Sequence, residues 1–261
     1  MHKTYTAVVV GLGVVGSATL WRLAQQQQDV LGLEAGAPIN LQGSSYGGSR
    51  IFRQAYWEGS DYLPLLAEAD LGWQELQATS HRPLLHYSGG LFIGPIRSGV
   101  VSGSAASAKA GGIAHQRLTA AEVEARFSVF RADENMEAVF EQGAFTIAAD
   151  DARLQMLNQA VAHGAQMRFG SQVQDITRVE SEFLLRLSDG RSVLAQKVVL
   201  ATGAGLAGAL IPDLSGLLRP RSVPIYLVRL QIGCRALVRE LSGVSLRTRG
   251  WPPVVWHTAN R

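Results

Sequence analysis

Close to its N-terminus the chain reads T-A-V-V-V-G-L-G-V-V-G, and no other run restricts its fold as much. Thr6 to Val10 has the unbroken apolar character of a parallel strand buried on both faces, and Val14 to Gln27 reads as the helix that follows it. Between them Gly11, Gly13 and Gly16 stand at G-x-G-x-x-G spacing. In that pattern the first glycine serves the tight turn, the second lets backbone approach a pyrophosphate, and the third allows close packing of helix on strand. Asp29 to Glu34 supplies a second strand, ending in an acid about 20 residues on, where a ribose partner belongs. An acid there disfavours a 2'-phosphate, and hence NADP. The motif leaves FAD and NAD both open.

The length of 261 residues suits one large domain or two small ones. With 47% apolar and 17% charged residues, the composition is that of a globular chain with a sizeable core. No run approaches the roughly 20 apolar residues of a bilayer span, and the opening residues enter a strand without a cleavage site. A soluble, cytoplasmic protein with no membrane partner is expected. Cys234 is the only cysteine, which excludes an internal disulfide and a thiolate cluster, and the six histidines show no metal-ligand spacing. No metal is expected.

The net charge of +3 conceals an uneven distribution. From Ser215 to Arg261 there are eight arginines, no lysine and a single acid, Glu240, for a net of +7, while the rest of the chain carries −4. These arginines lie on no amphipathic helix and in no recognisable nucleic-acid module, so no nucleic-acid partner is expected.

Gly43 to Gly59, G-S-S-Y-G-G-S-R-I-F-R-Q-A-Y-W-E-G, fits no regular element. Its small residues allow backbone N–H groups to line a flat ligand, and Arg50 and Arg53 can set guanidinium forks near an anion or an electron-rich ring. A solvated loop with ordinary surface arginines is the alternative, and the residues by themselves leave both open.

The pattern G-S-x-x-G-x-[ST]-R-I-x-R-x-A-Y-x-E-G resembles the flavin-dependent amine oxidases of the monomeric sarcosine oxidase and N-methyl-L-tryptophan oxidase group. The resemblance runs from about Tyr5 to about Leu230, taking in Y-L-P-L at Tyr62, S-G-G-L-F-I-G-P at Ser88 and V-L-A-T-G-A at Val199. It implies FAD as the cofactor, with Gly11, Gly13, Gly16 and Glu34 holding the ADP half. The Gly43–Arg53 loop, with Ser44 and Ser45, would lie against the flavin. Val173 matches the residue whose backbone reads adenine, and Thr202-Gly203-Ala204 resembles a second FAD contact at a strand end. Arg50 would sit beside the isoalloxazine ring and Arg53 would bind the substrate carboxylate. Tyr46 falls where relatives usually carry a histidine touching the flavin, and Gly48 where an aspartate is common; either change stands to alter flavin reactivity.

The implied fold is α/β, an FAD-binding Rossmann-like domain with a parallel sheet plus an interrupted, incomplete α+β substrate domain. Residues 1–80 and 147–222 would form the first, and 81–146 with 223–261 the second. Tyr62–Ala78 has helical spacing, with Leu65, Leu66, Ala69, Trp73 and Leu76 toward one face, and Trp73 reads as core. Ser88–Pro95 reads as a strand and Ser98–Gly112 as a weakly patterned surface helix. Thr119 caps a short helix through Phe127, with Glu122 at the capping-box position. Asp150 or Asp151 caps a helix through Ala162 whose Leu154, Leu157 and Val161 recur at spacings of three and four. Strands resume at Gln166, Val173–Arg178, Phe183–Leu187 and Arg191–Leu194 form an antiparallel unit with an Asp189-Gly190 turn, and Lys197–Ala201 returns to a buried parallel strand.

The chemistry implied by the resemblance is oxidation of a secondary amine, a small N-methyl amino acid. Hydride passes from the carbon beside nitrogen to the flavin, the imine hydrolyses to formaldehyde and amine, and O2 reoxidises the flavin to give H2O2. Family members continue well past the point where this sequence stops, with an O2-activating lysine and a flavin-bonding cysteine. Lys3, Lys109 and Lys197 match neither context, and Cys234 in the unmatched basic tail 231–261 reads as an ordinary cysteine. A frame change or truncation is the expectation for that tail. The alternative to an active oxidase is an inactive flavoprotein fragment, or half of a split oxidase completed by a partner chain.

Overall fold

The computed structural model describes residues 3–39, 43–96, 98–127, 130–204, 210–211 and 217. The basic segment 231–261, with Cys234, lies outside them. Two compact units divide at Gly47/Gly48 and Ala148/Ala149, whereas the sequence places the boundaries at 80/81 and 146/147.

In the first unit β1 (Thr4–Val10) runs into α1 (Val14–Gln25) and then β2 (Val30–Leu33). The chain returns to this unit at α5 (Ala149–Ala162), followed by β9 (Gln166–Arg168), β10 (Val173–Val179), β11 (Glu182–Leu187) and β12 (Ser192–Leu200). Its six-stranded sheet has the order β10-β11-β12-β1-β2-β9. The four strands β12, β1, β2 and β9 are parallel, while β10, β11 and β12 pair antiparallel. The expected strands Arg191–Leu194 and Lys197–Ala201 are one strand, β12, which takes β11 along one edge and β1 along the other. The Asp189-Gly190 turn stands as expected, with Gly190 at φ +81° and Asp189 Oδ1 accepting from the Arg191 N–H at 3.0 Å. Tyr5, Val8, Val10, Leu31, Leu33, Leu185, Val193 and Ala195 form one buried hydrophobic cluster of the unit.

α1 and α5 pack on each other. α5 begins at Ala149, so Asp150 and Asp151 lie in its first turn, where their charge favours the helix dipole, and neither is a cap. Its buried face is Ala152, Arg153, Met156, Leu157 and Ala160, whereas Val161 is exposed. The leucine-valine spacing mistook the stripe because an arginine and two alanines occupy half of it.

The second unit holds β3 (Ser49–Phe52), a 3-10 turn at Ser60–Tyr62, α2 (Leu63–Ala78), β4 (Leu85–His86), β5 (Gly90–Pro95), α3 (Gly99–Ala110), β6 (His115–Thr119), α4 (Ala120–Arg126), β7 (Met136–Glu141) and β8 (Phe145–Ala148). Two antiparallel sheets result, β3-β8-β4 and β5-β7-β6. The Gly43–Gly59 segment is therefore not wholly irregular. Ser49–Phe52 pairs with β8, and Phe52 stacks on Phe145 at 4.8 Å. In α2, Leu66 and Leu76 are buried, Leu65 is 69% exposed, and Trp73 is half-buried. α3 is more than a surface helix, since Val101, Ser104, Ser107 and Ala108 are buried.

The capping box at α4 forms as expected. Thr119 Oγ1 accepts from the Glu122 N–H, and Glu122 Oε2 accepts from the Thr119 N–H at 2.7 Å. The backbone N–H and then the hydroxyl of Thr119 hold the Glu122 carboxyl below its ordinary range. A lowered folded-state value means the contribution is present above the ordinary glutamate range and is lost as pH falls through the lowered one. Glu122→Gln should therefore flatten the acid limb of stability against pH. Denaturant midpoints measured between about pH 3 and 6 that run parallel for the two proteins would contradict this origin of the cap's strength.

Candidate functional site

At the end of β1 the chain makes the tight turn the sequence requires. Gly11 adopts φ +92°, and a Cβ on it would meet the Ala201 carbonyl oxygen at 2.5 Å. The constraint at Gly16 is steric only, for a Cβ there would lie 1.8 Å from the Gly11 oxygen. Both positions are closed to any other residue without moving the backbone. Gly13 is looser, its added Cβ falling 3.1 Å from Ser45 Oγ, the end of a short side chain.

Glu34 follows β2 and is 7% exposed. Its Oε2 accepts from the Leu12 N–H at 2.8 Å and its Oε1 from the Gly36 N–H at 2.9 Å. A carboxylate offers about four acceptor sites, so roughly two remain for ribose hydroxyls. At the N-terminus of α1 the first turn has no acidic side chain, and the Val14 N–H donates to Ser45 Oγ at 2.9 Å. Unpaired N–H groups and the helix dipole make such an end an anion site; the Ser45 hydroxyl accepts where an anion oxygen would.

These residues line one cavity of about 250 Å³ within the first unit. Gly11, Gly13, Glu34, Ser44, Ser45, Val173, Thr202 and Gly203 all face it. Gly16 serves the packing behind the turn. The Thr202 hydroxyl, in the wall, is buried without a hydrogen-bond partner among the described residues. Its oxygen is closed to solvent, so it belongs to the interior of the wall and not to the surface a ligand would meet. The glycine cradle, the helix end and the acid together fit the ADP half of a dinucleotide.

The other expected site residues are not among those lining this cavity. Tyr46 is 43% exposed and closes a turn through its N–H to the Gly43 carbonyl. Arg50 and Arg53 belong to the second unit. Arg50 lies on β3 opposite Ile147, with Nη1 donating to the Ser49 carbonyl. Arg53 follows β3, its guanidinium 4.5 Å from the Tyr56 ring centre and 5.1 Å from that of Phe92, with Nη2 3.3 Å from Glu58 Oε1. Its Nη1 is buried and has no hydrogen-bond partner among the described residues.

Two buried charged side chains escape a reading of the sequence. Arg153 is 5% exposed and lines the nucleotide cavity. Glu141, 1% exposed, accepts from the Gln54 N–H at 2.9 Å and the Ala55 N–H at 3.0 Å, pinning the chain just after Arg53. Burial pushes the Glu141 carboxyl up, against the pull of the Ala55 and Gln54 N–H groups. The signal is faint in both cases, an acid ending a strand pattern and an arginine within a helical stripe.

Residues 6–254 match the family described as FAD dependent oxidoreductase. The chain belongs to that family, and FAD is the family's cofactor. The match reaches into the basic segment where no motif is legible. Similar proteins include the monomeric sarcosine oxidase of Streptomyces avermitilis, 35% identical over 169 residues, covering 65% of this chain and 44% of the relative. N-methyl-L-tryptophan oxidase of Salmonella dublin is 30% identical over 210 residues, covering 80% and 56%. The chain thus spans about half the length of the curated relatives it matches. Among solved structures, the amino acid oxidase NikD superposes with a TM-score of 0.72 at 29% identity, covering 81% of this chain and 54% of its own. Glycine oxidase of Geobacillus kaustophilus, at 22% identity and TM-score 0.68, covering 82% and 59%, shares the fold.

Gly16→Ala should destabilise the first unit by about 3 kcal/mol or more, at the top of the overpacking range, because backbone stands on the other side of the contact. A denaturant midpoint close to that of the unaltered chain would show that α1 can move aside. Glu34→Ala should strip flavin during gel filtration. Unchanged flavin content would remove the ribose assignment.

Proposed function

We propose that this chain carries the cofactor site and part of the substrate site of an FAD-dependent amine oxidase acting on small N-methyl amino acids of the sarcosine or N-methyltryptophan type. The observation that carries the reading is the cavity walled by the glycine turn, the N-terminus of α1 and Glu34. Gly11, Gly13, Ser45, Val173, Thr202 and Gly203 would cradle the ADP half of FAD and Glu34 its ribose. Bound FAD supplies a two-electron acceptor, which no side chain of the protein can provide. The overall reaction is N-methyl amino acid plus O2 plus water to amino acid, formaldehyde and H2O2.

The arginines would do electrostatic work. Arg53 has a rigid planar fork, two aromatic rings to seat it, and one buried donor with no partner among the described residues. A fork so seated suits the carboxylate of an amino-acid substrate once Nη2 exchanges Glu58 for it. Glu141 fixes the backbone behind Arg53, so the guanidinium's position is set before substrate arrives. Arg50 supplies a fixed positive charge to the ring system, and Tyr46 takes the position adjoining it.

The test is the visible spectrum of the purified 261-residue chain, before and after anaerobic addition of sarcosine or N-methyltryptophan. A flavin spectrum that bleaches is the expected result. A flavin spectrum that stays oxidised with either amine would overturn the substrate assignment and leave a flavin-binding domain. Arg53→Ala should raise KM about tenfold or more, the worth of one charge-assisted pair, with flavin content unchanged. Loss of flavin with KM unaltered would instead assign Arg53 to the cofactor.

A further inference from the structure

Arg153 is a cation buried in the wall of the nucleotide cavity, and the carbonyls of Leu12 and Pro38 hold it. Nη1 donates to the Leu12 carbonyl at 3.0 Å, and Nη2 donates to the Pro38 carbonyl. No carboxylate pairs with it among the described residues. Burying a guanidinium with carbonyl dipoles as its partners costs free energy that a nearby anion would offset. The backbone of Leu12 is held at both of its peptides, the Gly11–Leu12 unit by one bond and the Leu12–Gly13 unit by two. Glu34 accepts its N–H, and both Arg153 and Ser17 Oγ, the latter at 2.9 Å, donate to its carbonyl. In a trans peptide the Leu12 carbonyl and the Gly13 N–H point in opposite directions. Drawing the carbonyl toward Arg153 and Ser17 therefore turns the Gly13 N–H away from them.

We propose that Arg153 is the positioning residue of the pyrophosphate subsite: its fork sets the Leu12–Gly13 peptide so that the Gly13 N–H faces the phosphates, and its buried charge adds to the field they enter. Pro38, bonded by the same fork, ties the loop after Glu34 to this arrangement. A lysine in place of Arg153 would keep the charge but could not reach both carbonyls in one plane. The inference rests on the FAD reading above and extends it to a residue on a helix far from the glycine motif in sequence.

Two fragments of the cofactor separate positioning of phosphate from general support of the fold. ADP carries the pyrophosphate; adenosine does not. Binding of ADP and adenosine to the 261-residue chain, measured by isothermal titration, should change unequally on Arg153→Met: ADP affinity should fall about tenfold or more, adenosine affinity less than about twofold. Arg153→Lys should recover part of the ADP affinity through its charge. Ser17→Ala, a milder change that removes one donor to the same carbonyl, should weaken ADP about two- to fivefold with adenosine unmoved, and it serves if the Arg153 variants fail to fold. Equal losses for ADP and adenosine, or no loss for either, would overturn the proposal while leaving the FAD reading intact. Failure of the unaltered chain to bind both FAD and ADP would overturn that reading itself.

Discussion

Everything in the nucleotide unit depends on how closely α1 approaches the end of β1. Where the helix crosses the strand, the Gly16 Cα sits so near the Gly11 carbonyl that a single methyl group would fall 1.8 Å from its oxygen. That approach leaves the first turn of the helix beside the C-terminal end of the parallel strands, the place where open α/β sheets bind ligands. It also brings Leu12 within reach of Glu34 at the end of the neighbouring strand. Relaxing the contact would move the helix end, the turn and the acid apart together. This is why two glycines can decide the usefulness of a site to which they contribute no functional group.

The same economy shows in how little polar chemistry the cavity contains. Its fixed donors are backbone N–H groups, and its side chains act mostly on the backbone: Glu34 and Ser17 on Leu12, Ser45 on Val14. Backbone donors cannot rotate away, so orienting them costs little when the ligand binds.

How far the sequence could reveal this follows from where each interaction closes. The glycine turn, the buried acid after β2, the α4 capping box and the Asp189-Gly190 turn close within a few residues or one βαβ step, and each is legible. β3 is not, because Ser49–Phe52 becomes a strand only by pairing with Phe145–Ala148, at the other end of the unit's sequence. β12 reads as two strands because its antiparallel and parallel partners impose different patterns along its length. Arg153 and Glu141 escape for a related reason. Charged residues within an amphipathic pattern are normally assigned to the solvated side, and only the long-range partners, Leu12 and Pro38 for the one and Gln54 and Ala55 for the other, take them inside.

Glu141 and Arg153 are also opposite answers to one physical problem. Each is an ionisable group nearly closed to solvent, and each is bonded chiefly to backbone. Glu141 accepts two N–H groups, which support its charge, yet desolvation still outweighs them and pushes the carboxyl up. With its folded-state value raised, its stabilisation is greatest below the ordinary glutamate range and declines as pH rises through the raised one. A guanidinium cannot lose its proton to relieve the same cost, so Arg153 must be compensated by dipoles or by an anion. The carboxylate can therefore serve as a fixed support for the chain behind Arg53 even where no ligand is bound. The guanidinium, beside an open cavity, is best satisfied when something negative enters.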